Sequence, residues 1–256
     1  PGAFRLGDDL MPGLRWEFMA GLYQVQEEVA LLPARLLNPQ PGERVLDMCA
    51  APGNKTAQMG AMMANRGTLL ANDRNSGRMR AARDVLNRVG LVNVTTLTWD
   101  GSSLPGKRGQ FDKTMVDVPC TCEGPCRKDT SVLGRLSVSA SLKIARIQTA
   151  LLCKAVQLCR PGGCIVYVTC TFAPEENELV VDAVLRESGD ALRLRPSAVP
   201  GLVASAGLTE WQGQRLHPDL HHTSRIWPQQ NDTGGFFVAV LQKVNGERYS
   251  ASGERY

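Results

Sequence analysis

Strand and helix patterns alternate from residue 44 to residue 241, which predicts an α/β chain on a doubly wound, mostly parallel sheet flanked by helices. Three observations support this. Apolar runs of strand length recur, each bounded by turn formers. Longer stretches with apolar residues at helical spacing separate them. The first strand also runs into a loop of small residues, Ala50-Ala51-Pro52-Gly53, where doubly wound folds take a ligand.

The elements follow in order. Residues 23–37 have helical spacing and are expected to form a helix that stops at the breaker Asn38-Pro39-Gln40-Pro41-Gly42. Residues 44–49 read as a short buried strand and 55–65 as a helix closed by Gly67. A second strand is expected over 68–72, then an Arg-rich helix over 77–89 closed by Gly90. Strands three and four fall at 94–98 and 114–118. A long helix over 136–159 should stop at Pro161-Gly162-Gly163, ahead of a fifth strand at 164–169. Residues 174–187 read as a helix with Pro174 in its first turn, where Glu175, Glu176 and Glu178 would suit the helix dipole. A last strand is expected over 236–241. Residues 188–228 give only weak patterns.

Composition bounds the function. The 256 residues suffice for a full core, and 43% hydrophobic with 21% charged content is ordinary for a globular protein. No apolar run approaches the eighteen or so residues of a membrane span, and no leader pattern is present. The chain begins at Pro1, so an upstream segment is expected to have been lost. Three parts are expected: an N-terminal extension over 1–40, helical and the stub of an RNA-binding region; a main domain over 41–243; and a disordered tail over 244–256. Eight cysteines, most beside apolar runs, suggest free thiols in a reducing cytoplasm, in a chain expected to be a monomer. The formal charge of +4 permits a nucleic-acid partner. From Arg127 to Lys154 there are six basic residues against one acid, Asp129.

The loop Cys49-Ala50-Ala51-Pro52-Gly53-Asn54-Lys55 lets a ligand approach the backbone closely. It is neither a Gly-x-Gly-x-x-Gly fingerprint nor a phosphate loop, which argues against a dinucleotide or ATP. Acids recur at successive strand ends: Asp47, Asp73, Asp100 and Asp117. Any one of them alone reads better as a cap or loop residue. Four in register favour an adenosyl-type ligand, with Asp73 placed for the ribose hydroxyls. Two thiols then follow strand ends, in Asp117-Val118-Pro119-Cys120 and in Thr169-Cys170-Thr171.

These motifs, with Glu175-Glu176-Asn177-Glu178, Arg225-Ile226-Trp227-Pro228, Gly235-Phe236-Phe237-Val238-Ala239 and the approach Gly21-Leu22-Tyr23-Gln24-Val25-Gln26-Glu27, resemble the NOP/Sun family of RNA cytosine-5 methyltransferases, including its bacterial 16S rRNA members. The match runs from about residue 20 to 243. The resemblance implies a Rossmann-like class I methyltransferase fold with a seven-stranded sheet. It implies S-adenosyl-L-methionine along Cys49 to Lys55, with Asp73 on its ribose, Arg78 supporting the site, Asp100 near the adenine, and Asp117 facing both methyl donor and base. Cys170 is implied as the nucleophile that adds to C6 of cytosine, and Cys120 as the thiol that assists product release. One position departs from the family, which often has two glycines before the lysine, whereas this chain has Gly53-Asn54. Asn tolerates a left-handed backbone, so binding is expected to survive.

Alternatives were weighed. Cys49, Cys153, Cys159 and Cys164 read as small buried hydrophobes. Cys120, Cys122 and Cys126 are spaced closely enough for zinc, with His217, His221 and His222 as further donors, but a second Cys-x2-Cys pair is missing and no metal is expected. DNA cytosine-5 methylation is disfavoured because its nucleophile occupies the Pro-Cys motif. A silent cofactor- and RNA-binding assembly factor is the non-enzyme alternative. RNA is the expected partner, ribosomal ahead of transfer RNA, with Arg127, Lys128 and Arg135 lining the mouth of the cleft.

Overall fold

The computed structural model describes residues 2–7, 10–107, 109–197, 199 and 201–244, apart from the Arg135 side chain. Beyond Val244, the expected tail lies outside the described residues. Five strands form the parallel half of the sheet: β1 (Arg44–Asp47), β2 (Thr68–Asn72), β3 (Val94–Leu97), β4 (Phe111–Asp117) and β5 (Cys159–Thr169). They are laid side by side in the order β3-β2-β1-β4-β5. The order reverses between β1 and β4, and the crevice outside their carboxyl ends is where such sheets bind ligands.

Between β5 and the rim the pairing is antiparallel. A long strand from Phe236 to Lys243 runs against β5. The next position is shared end to end: Leu192–Arg195 pairs with Val240–Lys243, and Ser224–Ile226 pairs with Phe236–Val238. These segments are β6 (Leu192–Arg195), β10 (Ser224–Ile226) and β11 (Phe236–Lys243), and the two-residue β7 (Ser205–Ala206) closes the rim on β10. A separate hairpin joins β8 (Glu210–Trp211) to β9 (Gln214–Arg215). The main sheet thus has nine strands where seven were expected, because the seventh position is filled by two segments and a rim strand is added.

Helices cover both faces: α2 (Leu32–Leu37), α3 (Asn54–Met62), α4 (Ser76–Arg88), α5 (Val138–Leu158) and α6 (Glu178–Ser188), with the short α1 (Trp16–Met19) before them and α7 (Pro228–Asn231) before β11. The long α5 turns Leu151, Leu152, Ala155 and Leu158 onto β4 and β5, building one core with Tyr167, Val181 and Phe237. On the other face, Val29, Leu32, Ala34 and Leu37 pack with Met59, Met63, Val166 and Val238. This packing unit takes in residues before the expected 40/41 boundary.

Two expected helices are corrected. Over 23–37 only Leu32–Leu37 is α-helical, preceded by a 3-10 turn at Glu28–Leu31, and 23–27 is irregular. Pro33 fits only the first turn of a helix, and Gln24 and Gln26 instead bond Asn54 and Gln58 on α3. The helix expected at Pro174 begins at Glu178, because the preceding turn uses its side chains for buried contacts described below. Strands β4 and β5 also start earlier than expected, at Phe111 and Cys159, around a register shift between Phe111 and Lys113.

Candidate active site

The first strand delivers Asp47 to its carboxyl end, and the chain then turns through Met48–Pro52 into α3. Gly53 makes the turn at φ +103°, where a side chain is strained, and a Cβ there would press within 3.2 Å of the Ala82 backbone. The left-handed residue is Gly53, and Asn54 is the first residue of α3, so the departure from the family pattern does not disturb the loop. The Asn54 side chain accepts a hydrogen bond from Gln24 at 2.7 Å. The loop is braced from α4: Arg78 donates to the Ala51 carbonyl at 2.6 Å and lies 3.6 Å from buried Asp73. Asp73 accepts from the Asn75 backbone, and Asn75 caps α4 through the Arg78 N–H. Asn72 ties the strand ends together by donating to the Met48 and Trp99 carbonyls. Asp100, exposed at the end of that row, caps a short 3-10 turn through Ser102.

A cavity of about 200 Å³ is lined by Asp47, Cys49, Ala50, Ala51, Pro52, Asn54, Lys55 and Asp117, with Gln26, Glu27 and Ala30 from the N-terminal segment. A larger groove, about 610 Å³ beside Arg5, Glu28 and Gln229–Asp232, holds none of the chemistry-bearing residues. Lys55 bonds Asp117 at 2.9 Å across the cavity. Burial disfavours the Lys55 ammonium, yet the charges of Asp117 and Asp47 outweigh it and hold the pKa above its usual value. Burial pushes Asp47 up to about 7, against the hydrogen bond it accepts from Thr56 at 2.7 Å. Its other oxygen is buried without a hydrogen-bond partner. Burial, then the neighbouring acids, raise the Cys49 thiol well above its usual range.

The two thiols of the sequence motifs meet here. Cys120 Sγ lies 3.3 Å from Cys170 Sγ and 3.5 Å from Cys122 Sγ. All three sulfurs fall within 4.8 Å of one another. The close trio is Cys120, Cys122 and Cys170, with a residue from β5's end in the place that the disfavoured zinc alternative gave to Cys126. Cys122, which sequence reasoning left without a role, is the exposed member and has a positive φ of 63°. Hydrogen bonding with Cys120, then with Cys170, lowers the Cys122 thiol below its usual range. For Cys170, the Cys120 contact favours the thiolate, but Cys122, burial and the Asp117 charge together push it up to about 12. The N-terminus of α6 begins eight residues after Cys170, too far along the chain to favour its thiolate.

Buried acids hold the two thiol loops in place. Glu176 accepts from the Thr121 N–H at 3.1 Å, the Thr121 hydroxyl at 2.5 Å and Gln148 at 2.9 Å. Gln148 also donates to the Pro119 carbonyl at 2.8 Å. Asn177 clamps Thr169 and the Thr171 carbonyl. Glu178 receives a two-pronged bond from buried Arg225, which also donates to the Phe172 carbonyl. Glu175 accepts from the Trp211 indole at 3.1 Å. Main chain completes the junction: Gly124 N–H donates to Cys170 O at 2.7 Å, and Gly235 N–H to Gly124 O at 2.9 Å. A Cβ on Gly124 would sit 2.2 Å from the Gly235 carbonyl, so only glycine fits.

The expected RNA contacts are engaged within the chain. Arg127 pairs with Asp232 at 2.7 Å and Glu27 at 3.8 Å, and Lys128 bonds Glu27. The backbone of Arg135 lies in a 3-10 turn, and its side chain is outside the described ones. The three histidines lie in or beside the turn Pro218–His222, apart from the sulfur cluster.

A sheet with a side-chain-poor loop after β1, acids at successive strand ends and paired thiols beside them defines a Rossmann-like protein of the methyltransferase type. The chain belongs to the 16S rRNA methyltransferase RsmB/F family, whose model matches residues 34–242. It is 37% identical over 233 residues to the human 28S rRNA (cytosine(4447)-C(5))-methyltransferase, covering 90% of this chain and 28% of that protein. It is 36% identical to the tRNA (cytosine(49)-C(5))-methyltransferase of Pyrococcus abyssi, covering 92% of this chain and 75% of that one. The structure of NSun6 from Pyrococcus horikoshii with SFG superposes with a TM-score of 0.78 at 29% identity, covering 91% of this chain and 56% of that chain. The chain thus spans under a third of the human relative's length.

Proposed function

We propose that this chain transfers a methyl group from S-adenosyl-L-methionine to C5 of a cytosine in RNA, ribosomal RNA ahead of transfer RNA, in a cytoplasmic setting. The observation that carries it is the 3.3 Å approach of Cys120 to Cys170 beside the Lys55–Asp117 pair and the small-residue loop. The ribosomal RNA activity named for the human relative and the SFG ligand of the archaeal neighbour, an analogue of S-adenosylmethionine, support it.

The residues fit such a cofactor. Asp47 offers a buried, unpartnered oxygen to a cationic group, and Cys49, Ala50, Ala51 and Pro52 form a wall without bulky side chains. Asp73 would take the ribose hydroxyls with Arg78 bracing the loop, and Asp100 would close the adenine end. When bound, the cofactor supplies an electrophilic methyl group. Cys170 gives up its proton to solvent as the base arrives and adds as a thiolate to C6, which makes C5 nucleophilic. Asp117 addresses the N3/N4 edge of the base, and Lys55 fixes that carboxylate. Straddling a ring would require two contacts of about 3.5 Å, roughly 7 Å between sulfurs. At 3.3 Å, Cys120 and Cys170 both address one face of the ring. With the methyl taken from the opposite face, the C5 proton turns toward Cys120, which assists release of the product.

Residues 41–243 would form the catalytic domain, and 1–40 the remnant of an RNA-binding region. Arg127, Lys128 and Arg135 would contact phosphates at the mouth. The test is labelled S-adenosylmethionine with total RNA. Wild type should incorporate label at C5 of cytosine, Cys170→Ser should lose turnover, and Cys120→Ala should accumulate a covalent RNA–protein adduct. Cofactor and RNA binding with no incorporation would establish an assembly factor instead.

A further inference from the structure

We propose that Cys120, Cys122 and Cys170 together form a binding site for a thiophilic divalent cation, with zinc as the type ion, which competes with the RNA base for Cys170. The competition rests on the function proposed above, whereas the metal site itself does not. Three sulfurs from two loops converge, with separations of 3.3 and 3.5 Å for two pairs and all within 4.8 Å. Zinc–sulfur bonds of about 2.3 Å in a tetrahedral site put sulfurs about 3.8 Å apart. Two of the observed spacings, 3.3 and 3.5 Å, fall just below that value and the third does not exceed 4.8 Å, so small rotamer changes would bring all three into contact with one ion.

The donors are soft, which suits zinc rather than magnesium or calcium. Thiolates, not thiols, bind metal. Protons held by the three sulfurs pass to solvent as the ion binds, giving a three-thiolate complex. Cys122 lies at the surface, so the ion has a path in and a fourth position for water. The loops cannot separate to escape the ion, because Gly124 and Cys170 are joined through the main chain.

Cobalt(II) serves as the optical probe, with the purified chain held reduced by a phosphine. Wild type should take up one equivalent and show a sulfur-to-cobalt charge-transfer band that zinc abolishes. Cys122→Ser and Cys122→Ala should weaken cobalt binding about 100-fold or more, since even loss of a group supporting a ligand costs 10–100-fold. Both variants keep Cys120 and Cys170, and zinc inhibition of the methylation they retain should shift to correspondingly higher concentration. Cys153→Ser, whose thiol contacts Glu187, is the control and should behave as wild type. No charge-transfer band in wild type, or an equal band in both Cys122 variants, overturns the proposal. A chain that binds cobalt through sulfur yet never methylates RNA keeps the metal site and sinks the proposed function.

Discussion

Replacing Glu176 with alanine removes the acceptor for three donors at once: the Thr121 N–H, the Thr121 hydroxyl and the Gln148 amide. Two of them have somewhere to go. The Thr121 hydroxyl can turn to Thr171, 3.1 Å away, and Gln148 keeps the Pro119 carbonyl. The Thr121 N–H is left orphaned, and a buried unsatisfied donor costs about 1–3 kcal/mol. With the vacated volume, the expected loss is about 2–4 kcal/mol, a large part of a typical total stability of about 5–15 kcal/mol. Glutamine should be far milder. Its oxygen can serve the Thr121 N–H and Gln148 while its NH2 donates to the Thr121 hydroxyl, which then donates to Thr171. Only charge assistance is lost, about 1 kcal/mol. Urea unfolding of the two variants reads these values. The methyl-transfer rate should fall about 100-fold for alanine, because a 1 Å displacement of a reacting group costs that much. If alanine leaves stability and rate unchanged, or if glutamine is as damaging as alanine, Glu176 does not hold the Cys120 loop.

Arg225→Met strands Glu178, which is fully buried, and should cost about 3–5 kcal/mol in urea unfolding. The Arg225→Met/Glu178→Gln double variant should recover part of that loss. Asp47 prefers its proton in the folded chain, because burial raises its pKa from 3.8 to about 7. Stability of the cofactor-free chain should therefore fall as pH rises through that window, by up to about 4 kcal/mol. Asp47→Asn should flatten the urea midpoint between about pH 4 and 7, and an unchanged slope would reject the assignment. Reversing charge at Arg127 and Lys128 together should weaken RNA binding at low salt and reduce its salt dependence. Equal affinity would remove them from the RNA surface.

The parallel strands were legible because each is an apolar run bounded by glycine or proline, and the small-residue loop announced the ligand end of the sheet. The helix over 23–37 failed for a tertiary reason: its apolar spacing is real, but residues 23–27 do more for the fold by reaching α3 than by coiling. Cys120 and Cys170 were found as motifs, whereas Cys122 was grouped only with Cys120 and Cys126 in the zinc alternative, since its neighbour across the cluster lies 48 positions on. The acids from Glu175 to Glu178 misled in the same way. Their local pattern suits a helix start equally well, and only partners such as Thr121, Trp211 and Arg225, all distant in sequence, show them as clamps. Gln148 carried a usable signal, because it is a long polar residue on the buried stripe of α5, whose other members are small Ser141 and the apolar Leu151, Leu152, Ala155 and Leu158.

The backbone junction of Gly124, Cys170 and Gly235 leaves the sulfurs with almost no slack. Under the proposed function, a pyrimidine that reaches them would have to be brought to a fixed slot, and the deformation would fall on the polynucleotide. Nucleotides in bulges and open loops leave their stack at least cost, so stiffness in the protein would become discrimination among the bends of such a substrate.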